Sequence, residues 1–149
     1  MTSVSLVRRI AARPAIVFEA LVTAEGIRSW WGPDDGPAIS AEVDARVGGG
    51  FRVRFRTADG LEHECAGEFL EIDTPERLVL SWRWTQNGQA EERGKVSRVE
   101  MRVRAIETGT ELTLIHSLLS NEESARSHER GWNGALQKLI RITDIGART

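Results

Sequence analysis

The chain has 149 residues, 40% of them hydrophobic and 28% charged, with a net charge of −2 and a single cysteine, Cys65. That length buries about two-thirds of the unfolded surface in one domain, residues 1–149, with no disulfide or metal needed as a staple. No basic stripe marks a nucleic-acid partner, and no apolar run approaches the ~18 residues of a membrane span; the N-terminus lacks the layout of a secretory signal, so a cytoplasmic location is expected.

Val4–Ile10 alternates as an opening strand, and Pro14 sits where the first turn of a helix tolerates proline, with Ile16, Val17, Phe18, Ala20 and Leu21 as its apolar stripe to Val22. Thr23 is placed to cap a second short helix, Ala24 to Trp31, which Gly32-Pro33 stops. Period-two patterning then predicts strands at Ile39–Asp44, Gly50–Thr57, Glu62–Ile72, Arg77–Thr85, Lys95–Glu107 and Thr110–Leu118, joined by short Gly-, Asp- and Pro-rich turns. Asn121 is placed to cap a last helix from Glu122 to about Thr143, in which Ala125, His128, Trp132, Ala135, Leu136 and Leu139 recur at helical spacing.

The predicted fold is α+β: a seven-stranded curved antiparallel sheet around the long C-terminal helix, with two short helices after the first strand. A curved sheet and a straight helix diverge toward one end, which predicts a cavity closed by the short helices. Adjacent helical residues point about 100° apart, so Trp30 and Trp31 cannot share one buried stripe, and at least one indole is expected to meet something other than the ordinary helix–sheet core, a ligand cavity or its lid. Gly131 and Gly134 weaken the last helix by roughly 1 kcal/mol each against alanine and are read as points of close approach.

Alternation points Phe51, Val53, Phe55, Cys65, Gly67, Phe69, Leu78, Leu80, Trp82, Trp84, Val99, Met101, Val103, Ala105, Leu112, Leu114 and His116 inward. Arg52, Arg54 and Arg56 fall on the opposite, solvated face. His116 sits in an apolar stripe, where it is either satisfied within the core or a polar anchor for a ligand; His128 lies one turn before Trp132 on the same helix face. His63, Cys65 and His116 have none of the compact zinc spacings, and no nucleophile, phosphate-loop or dinucleotide motif is present, so no metal, cofactor or catalytic residue is assigned.

These residues form a pattern. Pro14–Leu21, Trp30-Trp31-Gly32-Pro33, Val47–Phe51, Gly67–Ile72 before Pro75–Leu78, Thr110–His116 and Gly131-Trp132 through Leu139 occur in the order seen in the activator of heat-shock protein 90 ATPase homologue-like family, which the chain resembles over almost its whole length. That family lies within the START-like, or SRPBCC, helix-grip superfamily. The resemblance implies an apolar cavity for a small lipophilic molecule, lined by Trp30, Trp31, Phe55, Trp82, His116, Trp132 and Leu136, to which inward parity and helix position add Phe69, Met101 and His128. It also implies a link to stress responses. A non-enzymatic ligand-binding domain is the leading expectation. The alternatives are a START-like cyclase, dehydratase or hydrolase using His116, His128 and Glu71, and a chaperone-regulating interaction domain; homodimerisation is left open.

Overall fold

The structure, a computed structural model, describes residues 2–148. Seven antiparallel strands form one sheet in the order β1-β7-β6-β5-β4-β3-β2, where β1 is Thr2–Ile10, β2 Ser40–Val43, β3 Gly50–Arg56, β4 Glu62–Asp73, β5 Arg77–Gln86, β6 Ser97–Ile106 and β7 Gly109–Leu119. Helices α1 (Pro14–Val22) and α2 (Ala24–Trp30) carry the chain from β1 at one edge to β2 at the other; α3 (Glu122–Arg148) packs against β1, β7, α1 and α2. The predicted α+β helix-grip arrangement is the observed one.

Local signals act as their chemistry requires. Pro14 opens α1, the Thr23 hydroxyl oxygen accepts the Gly26 N–H at 3.1 Å, and Asn121 Oδ1 accepts the Ser124 N–H at 2.9 Å, each satisfying a first-turn donor. The β4–β5 ladder shifts register twice, between Glu64 and Cys65 and between Phe69 and Glu71. Such bulges bend the bulged strand and raise its twist, which curves the sheet around α3.

The outer face is salt-laced. Arg52 and Arg54 pair with Glu64 at 2.7 and 3.3 Å, and Arg56 pairs with Glu62 at 2.7 Å, as the solvated-face reading predicts. Beside them, Glu100 on β6 meets Arg77 at 3.0 Å, Arg98 at 3.2 Å and Arg102 at 2.5 Å. Burial works to raise the Glu100 carboxyl, but these three guanidinium groups outweigh it and hold it at about 2. Glu71 pairs with Arg77 at 2.6 Å and is exposed.

Two expectations, one of an inward side chain and one of a close approach, are corrected. Ala105 is exposed because β6 runs out past the end of the core, so alternation there no longer has a buried side. Gly131 faces open space, whereas Gly134 alone makes the close approach expected of both: a Cβ on it would stand 1.9 Å from the Pro33 carbonyl oxygen.

Candidate functional site

The two adjacent indoles divide as their angular separation demands. Trp30 is fully buried, and its N–H donates to the Ala20 carbonyl at 2.8 Å, fastening α2 to α1. Trp31, at the end of α2, turns toward the sheet and stacks on Trp82 with ring centroids 5.2 Å apart and planes 14° apart. Trp132 of α3 meets both, 5.7 Å from Trp31 and 5.4 Å from Trp82.

These three indoles form the inner wall of a cavity of about 390 Å³. Phe55, His63 and Trp84 form a second wall, in which Phe55 and His63 stack at 5.3 Å and Trp84 stands edge-on to Phe55. Ser127, His128, Arg130, Gly131 and Ala135 contribute the α3 side; Gly32, Pro33, Asp34, Thr57, Gly88 and Gln89 complete the lining. The 31–37 loop is bolted in place. Lys138 Nζ donates to the Trp31 and Gly36 carbonyls at 3.1 and 3.0 Å, Asp34 accepts the Ala58 N–H at 2.8 Å, and Gly134 lets Pro33 lie directly on α3. Burial lowers the Lys138 ammonium pKa, partly offset by Asp35 and Asp34.

All three histidines are held by N–H groups that can only donate. The Trp132 indole donates to His116 Nδ1 at 3.0 Å, the Trp84 indole to His128 Nε2 at 3.2 Å, and the Gly88 amide to His63 Nδ1 at 2.9 Å. Each contact makes that ring nitrogen an acceptor, which places the proton of the neutral ring on the other nitrogen. His116 Nε2–H therefore donates to Ser97 Oγ at 2.8 Å, His128 Nδ1–H to the Ser124 carbonyl at 2.8 Å, and His63 Nε2–H to Thr57 Oγ at 3.0 Å.

Burial drives the pKa of His116 well below 6.5, helped by the neighbouring His128; burial also lowers His128 against the Ser124 carbonyl, Glu92 and Glu91, and lowers His63 against Asp59. The Ser97 hydroxyl accepts from His116 and lies 3.4 Å from the Trp82 carbonyl, so the His116 network closes inside the protein.

Ser124, His128 and Glu92 lie in contact, yet they do not make a nucleophile relay. Ser124 is fully buried and its hydroxyl donates to Glu92 Oε2 at 2.6 Å. Burial raises Glu92, and hydrogen bonds from Ser124 and Ser120 more than reverse it. The Cys65 thiol is buried, and desolvation pushes its pKa up, so it stays protonated.

Of the residues expected at the site, Trp31, Phe55, Trp82, His128 and Trp132 line the cavity. Trp30, Phe69, Met101 and Leu136 lie in the packed core behind it, and His116 lies beneath Trp82 and Trp132 with both nitrogens engaged. Trp84, His63, Gly88, Gln89 and Arg130 were absent from that expectation. Trp84 carried a signal, since it belongs to the inward stripe of β5; the loop bearing Gly88 and Gln89 has no periodicity to read.

A curved antiparallel sheet gripping a C-terminal helix over a cavity at one end is the helix-grip architecture of START-like proteins. Within that class, the chain belongs to the Activator of Hsp90 ATPase homolog 1-like family, whose family model matches residues 11–143. Solved structures agree. The AHSA1 protein from Silicibacter pomeroyi is 25% identical with a TM-score of 0.83, covering 97% of this chain and 99% of that one. A protein from Chromobacterium violaceum is 21% identical at a TM-score of 0.81 over 97% and 99%, and an AHSA1-like protein from Aeromonas hydrophila 19% identical at 0.76 over 97% and 94%. No curated protein matches the chain in sequence.

Proposed function

We propose that the protein binds a small, flat, lipophilic molecule in the aromatic cavity and does so without transforming it. The observation that carries this reading is the cavity itself: about 390 Å³ walled by Trp31, Trp82, Trp84, Trp132 and Phe55, within the ~300–1,000 Å³ of small-molecule sites. The wall offers π-faces. The His63 and His128 rings and the indole N–H groups of Trp84 and Trp132 are committed to protein partners, while the buried Trp82 N–H has none among the described residues, which favours a ligand with a mostly apolar aromatic body.

The same commitments support binding over catalysis. A general base needs a nitrogen free to take a substrate proton, and both nitrogens of His63, His116 and His128 have protein partners. The name of the family also refers to a chaperone ATPase. Contact with such a partner calls for a contiguous surface outside the cavity, whereas the exposed Val7 lies on β1 and the exposed Val47, Leu61 and Val96 lie in three different loops.

The test is a titration of fatty acids, flavonoids and polyketide-like aromatics followed by intrinsic tryptophan fluorescence. Saturable quenching by the aromatics, competing with one another, is the expected result. A panel that gives no saturable response contradicts the reading.

A further inference from the structure

His128 stands at the junction of the cavity and the buried polar network. On its own helix it meets the Ser124 carbonyl and lies near Ser127 and Arg130; from β7, His116 approaches edge-on at 4.8 Å between ring centroids. From β5, Trp84 donates to its Nε2 and packs at 6.0 Å, with His63 of β4 on the far side of Trp84 at 6.3 Å. From the 3-10 turn Ala90–Glu92, Glu92 reaches it through the Ser124 hydroxyl, and Glu91 adds a second negative charge.

The contact with Trp84 has only one workable proton arrangement. An indole nitrogen donates and cannot accept, so His128 Nε2 must keep its lone pair for the 3.2 Å contact to exist. Were Nε2 protonated, two N–H groups would face each other at that distance, and one ring would have to leave. The Nδ1–H bond to the Ser124 carbonyl survives protonation, and Glu92 and Glu91 favour an imidazolium that stays in place. Trp84 is the ring free to go: it is half-buried, whereas His128 is 4% exposed. His116 does not relieve the conflict, being fully buried with both nitrogens engaged.

We propose that His128 and Trp84 form a proton-operated latch on the cavity, in which protonation at His128 Nε2 expels the Trp84 indole and loosens the hold on a lipophilic ligand. The effect on affinity rests on the cavity being the ligand site. Trp84 is part of the wall, and the 86–94 loop lies flat on it at Gly88, where a Cβ would come within 2.1 Å of the indole, so releasing the ring disturbs wall and loop together. A ligand that prefers the latched wall is then lost as protons are gained, by linkage.

The test uses N-phenyl-1-naphthylamine, a flat fluorescent probe that carries no charge in this range, titrated into the intact protein between about pH 7.5 and about pH 5, where an ordinary imidazole begins to charge. The expected result is weakening toward about tenfold per pH unit once His128 takes up its proton, with a flattened profile in His128→Gln, whose amide can accept from Trp84 but cannot protonate. In parallel, the Trp84 indole N–H, assigned with Trp84→Phe, is followed by nitrogen-15 NMR against the ring nitrogens of His128 in the unmodified chain.

Movement of the Trp84 signal in step with His128 supports the latch. An affinity independent of pH, an unchanged slope in a folded His128→Gln, or a Trp84 signal that stays still while His128 protonates overturns it. If the probe fails to bind at neutral pH, the ligand reading fails, and the NMR experiment alone still decides whether the latch exists.

Discussion

The Trp132 indole N–H donates to His116 Nδ1 at 3.0 Å, tying the centre of α3 to the middle of β7 through two buried rings. Removing the donor strands a buried acceptor. Trp132→Phe keeps a ring in the wall but leaves Nδ1 unsatisfied, and an unpaired buried polar group costs about 1–3 kcal/mol. Urea unfolding should show that loss in addition to the cost of the smaller ring. A stability equal to the unmodified chain's would mean that the bond contributes nothing.

Acid should destabilise the fold in two stages. The folded chain keeps His116 and His128 neutral below the ordinary 6.5, whereas the unfolded chain protonates them there. Stability is therefore full above about pH 6.5 and is lost as pH falls, by up to about 1.4 kcal/mol per pH unit for each proton refused. Glu64, Glu92 and Glu100 are held below the usual 4.5, so their contribution is present above that value and is lost beneath it, Glu100 persisting to about 2. Urea midpoints measured from about pH 8 to about pH 4 should decline from 6.5 downward; a rise across that interval would contradict the neutral assignments.

The two glycines of α3 should respond in opposite directions. Gly131→Ala places a methyl in open space and gains helix propensity, for a stabilisation of about 1 kcal/mol. Gly134→Ala drives a methyl into the Pro33 carbonyl, so helix and loop must separate. A Tm that rises for the first variant and falls for the second is the expected pair. A rise for both would show that the 31–37 loop is not packed on α3.

On the outer face, Glu100→Gln removes the charge shared by Arg77, Arg98 and Arg102 and leaves three guanidinium groups with only Glu71, at Arg77 and Arg98, to balance them. The Glu100 side chain is only 7% exposed, although its partners are more open to water. A loss on the order of 2 kcal/mol is expected, reduced at high salt as the arginines are screened. A salt-independent loss would assign the effect to packing.

Sequence periodicity carried the architecture further than it carried the site. Alternation placed Phe55, Trp82 and Trp84 on the gripping face because each strand has one buried side, and the Trp30–Trp31 pair announced a divided role by its angular separation alone. Parity could not say which inward residues face a void and which face α3, so Phe69 and Met101 read the same as Phe55 though they pack in the core. The polar pairing was equally hidden. Trp84 and His128 lie 44 residues apart and Trp132 and His116 16 apart, and which nitrogen meets which indole depends on the bulged register of β4 and β5 and on the turn of α3. Gly131 and Gly134 look alike in the chain, yet only one of them meets the loop.

The central claim is that the aromatic cavity is the ligand site, and filling it from within tests this most directly. Gly131 lines the cavity and faces open space, so Gly131→Leu adds a branched side chain there while raising helix propensity. The measurement is a titration of N-phenyl-1-naphthylamine at neutral pH into the unmodified chain and this variant, with folding checked by circular dichroism. Saturable binding to the former and its loss in a folded Gly131→Leu is the predicted result; equal binding by both would place the ligand elsewhere and contradict the account.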